Sequence, residues 1–253
     1  MIKLNSTLKI YILTLKGFCL KSLNSTLRND TFLKHFLTKQ ETVKIYTFSR
    51  ANISFNDTRI IHHFIDIEDE YSIEKAAISI PNNEQLDYII VATGFLSNNN
   101  ILPEKSIKDL SYEKFNKLYK VNTIGPALIA KHFISKLNKD KKSIFAVLSA
   151  RVGSISNNIL GGWYSYRCSK SALNMLMKNL SIEMKRKNAK LIIASLYPGT
   201  VKSKLSEPFS SSISNDKIFT GKFCVSKMIN VLENLTIEDS GKLFAWDGKK
   251  IDF

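Results

Sequence analysis

Short, continuously apolar runs alternate with longer amphipathic stretches along most of the chain. VKIYTFSR (43–50), LDYIIVATG (86–94), SIFAVLSA (143–150) and KLIIASLYPG (190–199) are rich in β-branched and aromatic residues, as strands buried on both faces are. FIDIED (64–69) reads as a shorter strand and KLFAWDG (242–248) as a last one. Helical patterns fall near 71–80, over SYEKFNKLYKVNTIGPALIAKHFISKL (111–137), over GGWYSYRCSKSALNMLMKNL (161–180) and near 222–234. Ser111 and Glu113 suit the start of the long helix, and Gly125 with Pro126 should kink or interrupt it. Strands separated by helices need crossover connections, which predicts a doubly wound parallel sheet with helices on both faces, a three-layer α/β domain. Ligands of such sheets bind at the carboxyl ends of the strands, so Gly94, Ser149, Pro198 and Gly199 are expected along one crevice.

Composition narrows the reading only a little. A chain of 253 residues with 44% hydrophobic content supports one large core and one domain. The net charge of +15 is spread along the sequence among many Asn and Ile residues, and no nucleic-acid-binding motif accompanies it. No nucleic-acid partner is expected. Cys19, Cys168 and Cys224 are odd in number and far apart, which signals neither a disulfide framework nor a zinc site and fits a cytoplasmic location. His35, His62, His63 and His132 lack metal-ligand spacing, so no metal is expected. KIYILTLKGFCLKSL is apolar but broken by Lys16 and Lys21, too short for a span and without a small-residue cleavage site, so neither membrane anchor nor signal peptide is expected.

Chemistry enters with Tyr166 and Lys170. Residues four apart are neighbours on one helical face. An ammonium beside a phenol favours the phenolate and pulls the tyrosine pKa down from about 10, which makes Tyr166 a candidate general acid.

Asn122 in KVNTIGPAL, Ser149 in LSARVGSI, Tyr166 and Lys170 in YSYRCSK, and PGTVKS (198–203) occur in the order and near the spacing of the short-chain dehydrogenase/reductase family, which the chain resembles from about residue 43 to its end. LSARVGSI, GGWYSYR, SKSALNM and FAWDGKKIDF further resemble the subgroup around the bacterial C-factor and its carbonyl-reductase-like relatives. The resemblance implies a Rossmann-like fold and hydride transfer between a nicotinamide cofactor and a small carbonyl or alcohol substrate. Tyr166 would pass the proton, Lys170 would lower its pKa and hold the nicotinamide ribose, and Asn122 would anchor a water of the proton relay, with Ser149 as the accompanying hydroxyl. Arg50 at the end of the second strand suits a 2′-phosphate and so NADP over NAD. Asp66 and Ile67 match the adenine contact, Ala92, Thr93 and Gly94 would line the ribose, and Pro198, Gly199 and Val201 complete the cofactor set. Residues 203–219 correspond to the variable substrate lid, with Trp163 and Tyr164 adding aromatic surface to the pocket. A homodimer or homotetramer is implied by the resemblance alone.

Two positions depart from the family pattern. Its catalytic serine would stand where this chain has Ala150, leaving Ser149 one residue early and, by strand alternation, on the opposite face. Its T-G-x-x-x-G-x-G turn, where glycines let a pyrophosphate approach a helix N-terminus, has no counterpart. If IYILT (10–14) is the first strand, only Gly17 follows it. If the register is counted back from VKIYTFSR, the loop falls on LNSTLRND (23–30), with Asn24, Ser25 and Thr26 facing the phosphates, Asp30 capping, and FLKHFL (32–37) as the helix. The second register is preferred for its short βαβ spacing. It leaves residues 1–17 outside the pattern and residues 18–253 as the domain. The alternative to an enzyme is a protein of this fold with weakened or lost turnover that acts through protein contacts.

Overall fold

The structure, a computed structural model, describes residues 8–14, 31–39, 43–202 and 218–253. Strands β1 (Leu8–Thr14), β2 (Val43–Ser49), β3 (Ile60–Phe64), β4 (Tyr88–Ala92), β5 (Ser143–Leu148), β6 (Leu191–Tyr197), β9 (Lys242–Ala245) and β10 (Lys250–Ile251) form one sheet, and β7 (Thr200–Val201) pairs separately with β8 (Ile218–Phe219). The strand order is β10-β9-β6-β5-β4-β1-β2-β3, with every pair parallel except β9 with β10. The helices are α1 (Thr31–Lys39), α2 (Glu70–Ile78), α3 (Tyr112–Tyr119), α4 (Gly125–Phe133), α5 (Tyr164–Lys187) and α6 (Gly221–Asn234).

Strand alternation divides the core into two layers. Phe145 and Val147 of β5 pack with Ile73 of α2, Phe133 of α4 and Met177 of α5. Ile144, Ala146 and Leu148 face the other way, onto Phe36 of α1 and Met228 of α6. The doubly wound three-layer αβα expectation therefore holds.

Three elements differ from the sequence reading. First, β1 pairs with β2 (Ile10 opposite Ile45) and with β4 (Ile10 opposite Tyr88), so it is an interior strand. Residues 8–14 thus belong to the sheet, which corrects the expectation that 1–17 stand apart. The preferred register found the helix, α1, but its assumption of a short connection hid the strand. Asn24, Ser25, Thr26 and Asp30, on the connection between β1 and α1, lie outside the described residues, as does Gly17.

Second, the strand expected at 64–69 is displaced to Ile60–Phe64. Its IIHHF pattern disguised it: His62 bonds Thr47 Oγ1 at 2.8 Å, and His63 packs against Phe48. FIDIED is mostly the connection to α2, whose N-cap Asp69 accepts from the Tyr71 amide at 3.1 Å.

Third, the expected break at Gly125 and Pro126 takes a definite form. Lys120–Ile124 is a single π-helical turn, and the Gly125 N–H reaches back to Lys120 O. Ser111 caps α3, as expected, by accepting from the Lys114 amide at 3.3 Å. Most of the expected lid, residues 203–217, lies outside the description, while its root Ile218–Phe219 is β8.

Candidate active site

Tyr166 stands in the first turn of α5 and is nearly buried, 7% exposed, among Leu96, Leu118 and Ala150. Trp163 packs edge-on against its ring at 6.2 Å between centroids. One turn further, Lys170 is 2% exposed. Its Nζ donates to Leu148 O at the carboxyl end of β5 at 2.8 Å and lies 6.0 Å from the centroid of the Tyr166 ring.

Burial governs both groups. It pushes the Tyr166 phenol up, with Tyr197 adding to the effect, and pulls the Lys170 ammonium down to about 7. The expectation that Lys170 depresses the tyrosine does not describe this arrangement, because desolvation favours the uncharged form of each partner. Near neutral pH, Tyr166 keeps its proton and Lys170 is poised to exchange one.

Asn122 sits in the π turn and is fully buried. Its amide donates to Phe95 O (2.8 Å) and Ser169 Oγ (3.0 Å), and its Oδ1 accepts from the Phe95 N–H (2.8 Å). Thr123 Oγ1 donates to Ser169 O at 2.8 Å. The side chain thus ties the loop after β4 to α5. A Cβ placed on Gly94 would lie 3.7 Å from Lys170 Nζ and 3.9 Å from Asn122 Oδ1, so these three predicted residues do converge. Beside them, Thr93 is 3% exposed and its Oγ1 has no partner among the described residues.

Ser149 is bonded to α5. Its Oγ donates to Asn174 Oδ1 at 2.7 Å, and Asn174 is eight residues, about 12 Å of helix, beyond Tyr166. Alternation explains this: Ser149 continues the Phe145 and Val147 face toward α5, whereas Ala150, past the strand end, joins the cluster around Tyr166. Ser154 Oγ bonds the main-chain oxygen of Asp252. Neither hydroxyl bonds Tyr166 among the described residues.

Just past β2, the exposed Arg50 is 3.8 Å from the Glu68 carboxylate, which also binds Lys117 at 2.7 Å. Asp66 Oδ1 accepts from the Glu68 N–H at 3.0 Å. Ile67 is buried, and a Cβ on Gly125 would come within 3.1 Å of it. Its side chain therefore serves packing, and its main-chain oxygen also lies against Gly125. Ala92 belongs to the α1–α6 layer. At the end of β6, Pro198 O accepts from Cys224 Sγ at 3.0 Å. Burial pushes the Cys224 thiol up to about 12. Gly199 has φ of +78°, and any Cβ there would strike Phe219 at 2.8 Å, so both backbone and space require glycine. Val201 is buried opposite Phe219.

Sequence reasoning missed four participants. Glu68 faces Arg50, and Glu104, fully buried, bonds Ser165 at the start of α5. Asn174 holds Ser149, and Trp246 packs with Phe219 and Phe223 under Gly199. None of the four carried a local signal; Glu104, with Lys105 beside it and Lys108 four residues on, reads as a solvated acid. No group of acidic, histidine and cysteine side chains suited to a metal occurs among the described residues, and no helix among them is long and apolar enough to cross a membrane.

Known proteins share this fold. The short chain dehydrogenase family model matches residues 38–213. The chain is 27% identical over 185 residues to 1-hydroxy-2-glutathionyl-2-methyl-3-butene dehydrogenase of Rhodococcus sp. (strain AD45), covering 73% of this chain and 76% of that one. It is 26% identical over 146 residues to C-signal of Myxococcus xanthus, covering 58% and 82%. Among solved structures, carbonyl reductase Sniffer of D. melanogaster superposes with a TM-score of 0.81 at 20% identity, covering 98% and 100%. NADPH-bound carbonyl reductase from chicken fatty liver gives 0.74 at 24% identity, covering 88% and 93%. With well over half its length matched by the family model and a doubly wound strand order, the chain belongs to the short-chain dehydrogenase family of oxidoreductases.

Proposed function

We propose that this protein is a nicotinamide-dependent oxidoreductase that interconverts a small carbonyl and an alcohol, with Tyr166 as acid and base and NADP as the preferred cofactor. The observation that carries the reading is the dry pair at the carboxyl end of the sheet, a protonated Tyr166 one helical turn from Lys170, whose pKa is drawn to about 7. A bound nicotinamide supplies or accepts the hydride. Hydride addition to a carbonyl builds an alkoxide, and Tyr166 Oη neutralises it by giving up its proton. Lys170, able to hold or release a proton near neutrality, restores the phenol, and the reverse sequence serves alcohol oxidation.

The residues present fit the cofactor in part. The buried Lys170 ammonium and the orphan Thr93 hydroxyl are donors suited to ribose oxygens, and Arg50 suits a phosphate. Asn122 supports the relay through its backbone, since its side chain is occupied. The decisive test mixes purified protein with NADPH, follows nicotinamide fluorescence, and then follows NADPH oxidation with a panel of aldehydes and ketones. Binding below millimolar cofactor with turnover lost in Tyr166→Phe is the expected result. A protein that binds no NADPH at millimolar concentration overturns the proposal.

One observation favours a second reading, a family member that acts through protein contacts with weak or no turnover: the residue packed beside Tyr166 at the family's serine position is Ala150, which brings no hydroxyl. NADPH binding without turnover would support it, and a robust rate that vanishes in Tyr166→Phe would exclude it.

A further inference from the structure

Glu104 is fully buried, yet its carboxylate has no ion-pair partner among the described residues. An ionised carboxylate in such a place is costly unless hydrogen bonds and dipoles replace water. Those it has come from one place. Its Oε1 accepts from Ser165 Oγ at 2.5 Å, its Oε2 accepts from the Ser165 N–H at 3.3 Å, and its main-chain oxygen accepts from the Trp163 N–H at 2.6 Å.

All three donors belong to the beginning of α5, where a cap is missing. The N-cap residue is Trp163, whose indole cannot accept from the first-turn amides, and it makes no side-chain cap. Its backbone is left-handed, φ of +51°, following Gly161 and Gly162 at +64° and +63°. A bulky residue in that conformation is strained and persists only when its surroundings hold it. Tyr166 stands in this same first turn, the part of a helix that frays most readily.

We infer that Glu104 is a positioning residue: it caps α5 from sixty residues away in sequence, holds Trp163 in its left-handed conformation against the Tyr166 ring, and so fixes where the phenol stands. The carboxyl oxygens at the helix N-terminus accept from its first-turn donors and do the work that Ser, Asp or Asn does at an ordinary N-cap. The deeper end of the same segment is held separately, where Asn122 and Thr123 bond Ser169. Tyr166 lies between the two attachments. The consequence for turnover rests on the proposed role of Tyr166, whereas the cap itself does not.

The test compares native protein with Glu104→Ala, Glu104→Gln and Ser165→Ala by hydrogen-exchange mass spectrometry and by NADPH-dependent reduction of benzaldehyde and acetophenone. In Glu104→Ala, exchange over residues 164–168 should quicken about tenfold, the effect of losing a cap of ordinary strength, while residues 175–187 keep their native rate. Its kcat should fall by about tenfold with the KM for NADPH within about threefold. Glu104→Gln keeps an acceptor for Ser165 and should restore both toward native. Ser165→Ala, which removes only a hydroxyl, should quicken the same segment about threefold and decides the matter if Glu104→Ala does not fold. Unchanged exchange over 164–168 in a folded Glu104→Ala, or in Ser165→Ala, overturns the inference. If the native protein turns over neither substrate, the exchange measurements still decide the cap, and the loss falls on the proposed function alone.

Discussion

Ser149 Oγ donates to Asn174 Oδ1 at 2.7 Å, and the bond fastens the carboxyl end of β5 to the middle of α5. A hydroxyl used in this way is structural. Ser149→Ala should therefore cost about 1–2 kcal/mol in denaturant unfolding, because the buried Asn174 oxygen loses a donor, while kcat stays within about threefold of native. A loss of kcat near a hundredfold with native stability would assign the hydroxyl to the reaction instead.

Ala150 makes the complementary case. It packs in the cluster that surrounds Tyr166, so under the proposed mechanism a hydroxyl added there would stand beside the proton donor. Ala150→Ser should raise kcat by about tenfold or more without changing the affinity for NADPH, measured by steady-state kinetics and fluorescence titration. No change in kcat would place the substrate oxygen elsewhere.

Lys170 makes stability depend on pH in a direction opposite to that of a surface lysine. Its folded pKa is about 7 against an ordinary 10.5, so between these values the unfolded chain binds more protons. Stability should rise with pH across that window, and the cost of burying the ammonium should be fully present below pH 7. Lys170→Met should raise Tm most at pH 6, with the difference closing by about pH 10 in thermal scans over that range. A difference independent of pH would show that Lys170 is not desolvated.

Arg50 reaches the Glu68 carboxylate only at 3.8 Å, which leaves the guanidinium available to a phosphate. Arg50→Ala should weaken NADPH binding about tenfold and NADH binding less than about twofold, read by fluorescence titration. Equal losses for both cofactors would remove the basis for NADP preference.

The interior position of β1 predicts the outcome of a deletion. Removing residues 8–14 separates β2 from β4, and the truncated chain should lose its cooperative thermal transition by circular dichroism. Retention of a native transition would return these residues to the periphery.

Long, uninterrupted apolar runs made β2, β4, β5 and β6 legible, and the four-residue spacing of Tyr166 and Lys170 placed both on one face of α5. What escaped was information the chain stores at a distance. β1 is recognised as interior only through partners at Val43 and Tyr88, and its own neighbourhood lacks the expected glycines. β3 hid because His62 and His63 interrupt its apolar pattern while bonding or stacking on β2. Glu104 and Asn174 read as ordinary polar residues until Ser165 and Ser149 are placed beside them. The family pattern suggested a hydroxyl near 149–150, and alternation along β5 decided that the one present turns away.

The π turn at Lys120–Ile124 amounts to one residue more than a continuous α-helix would contain. Excising that residue would give the segment better local hydrogen bonding and a straighter axis. It would also turn everything beyond it by about 100°, carrying Ile129 and Phe133 off the sheet or Leu118 off its cluster. The surplus residue therefore works as a phase adjuster, letting two helical segments with different buried faces run on from one another with Asn122 at the seam. In an alignment of related chains, insertions and deletions should skip this pentapeptide even where the amino acids within it vary.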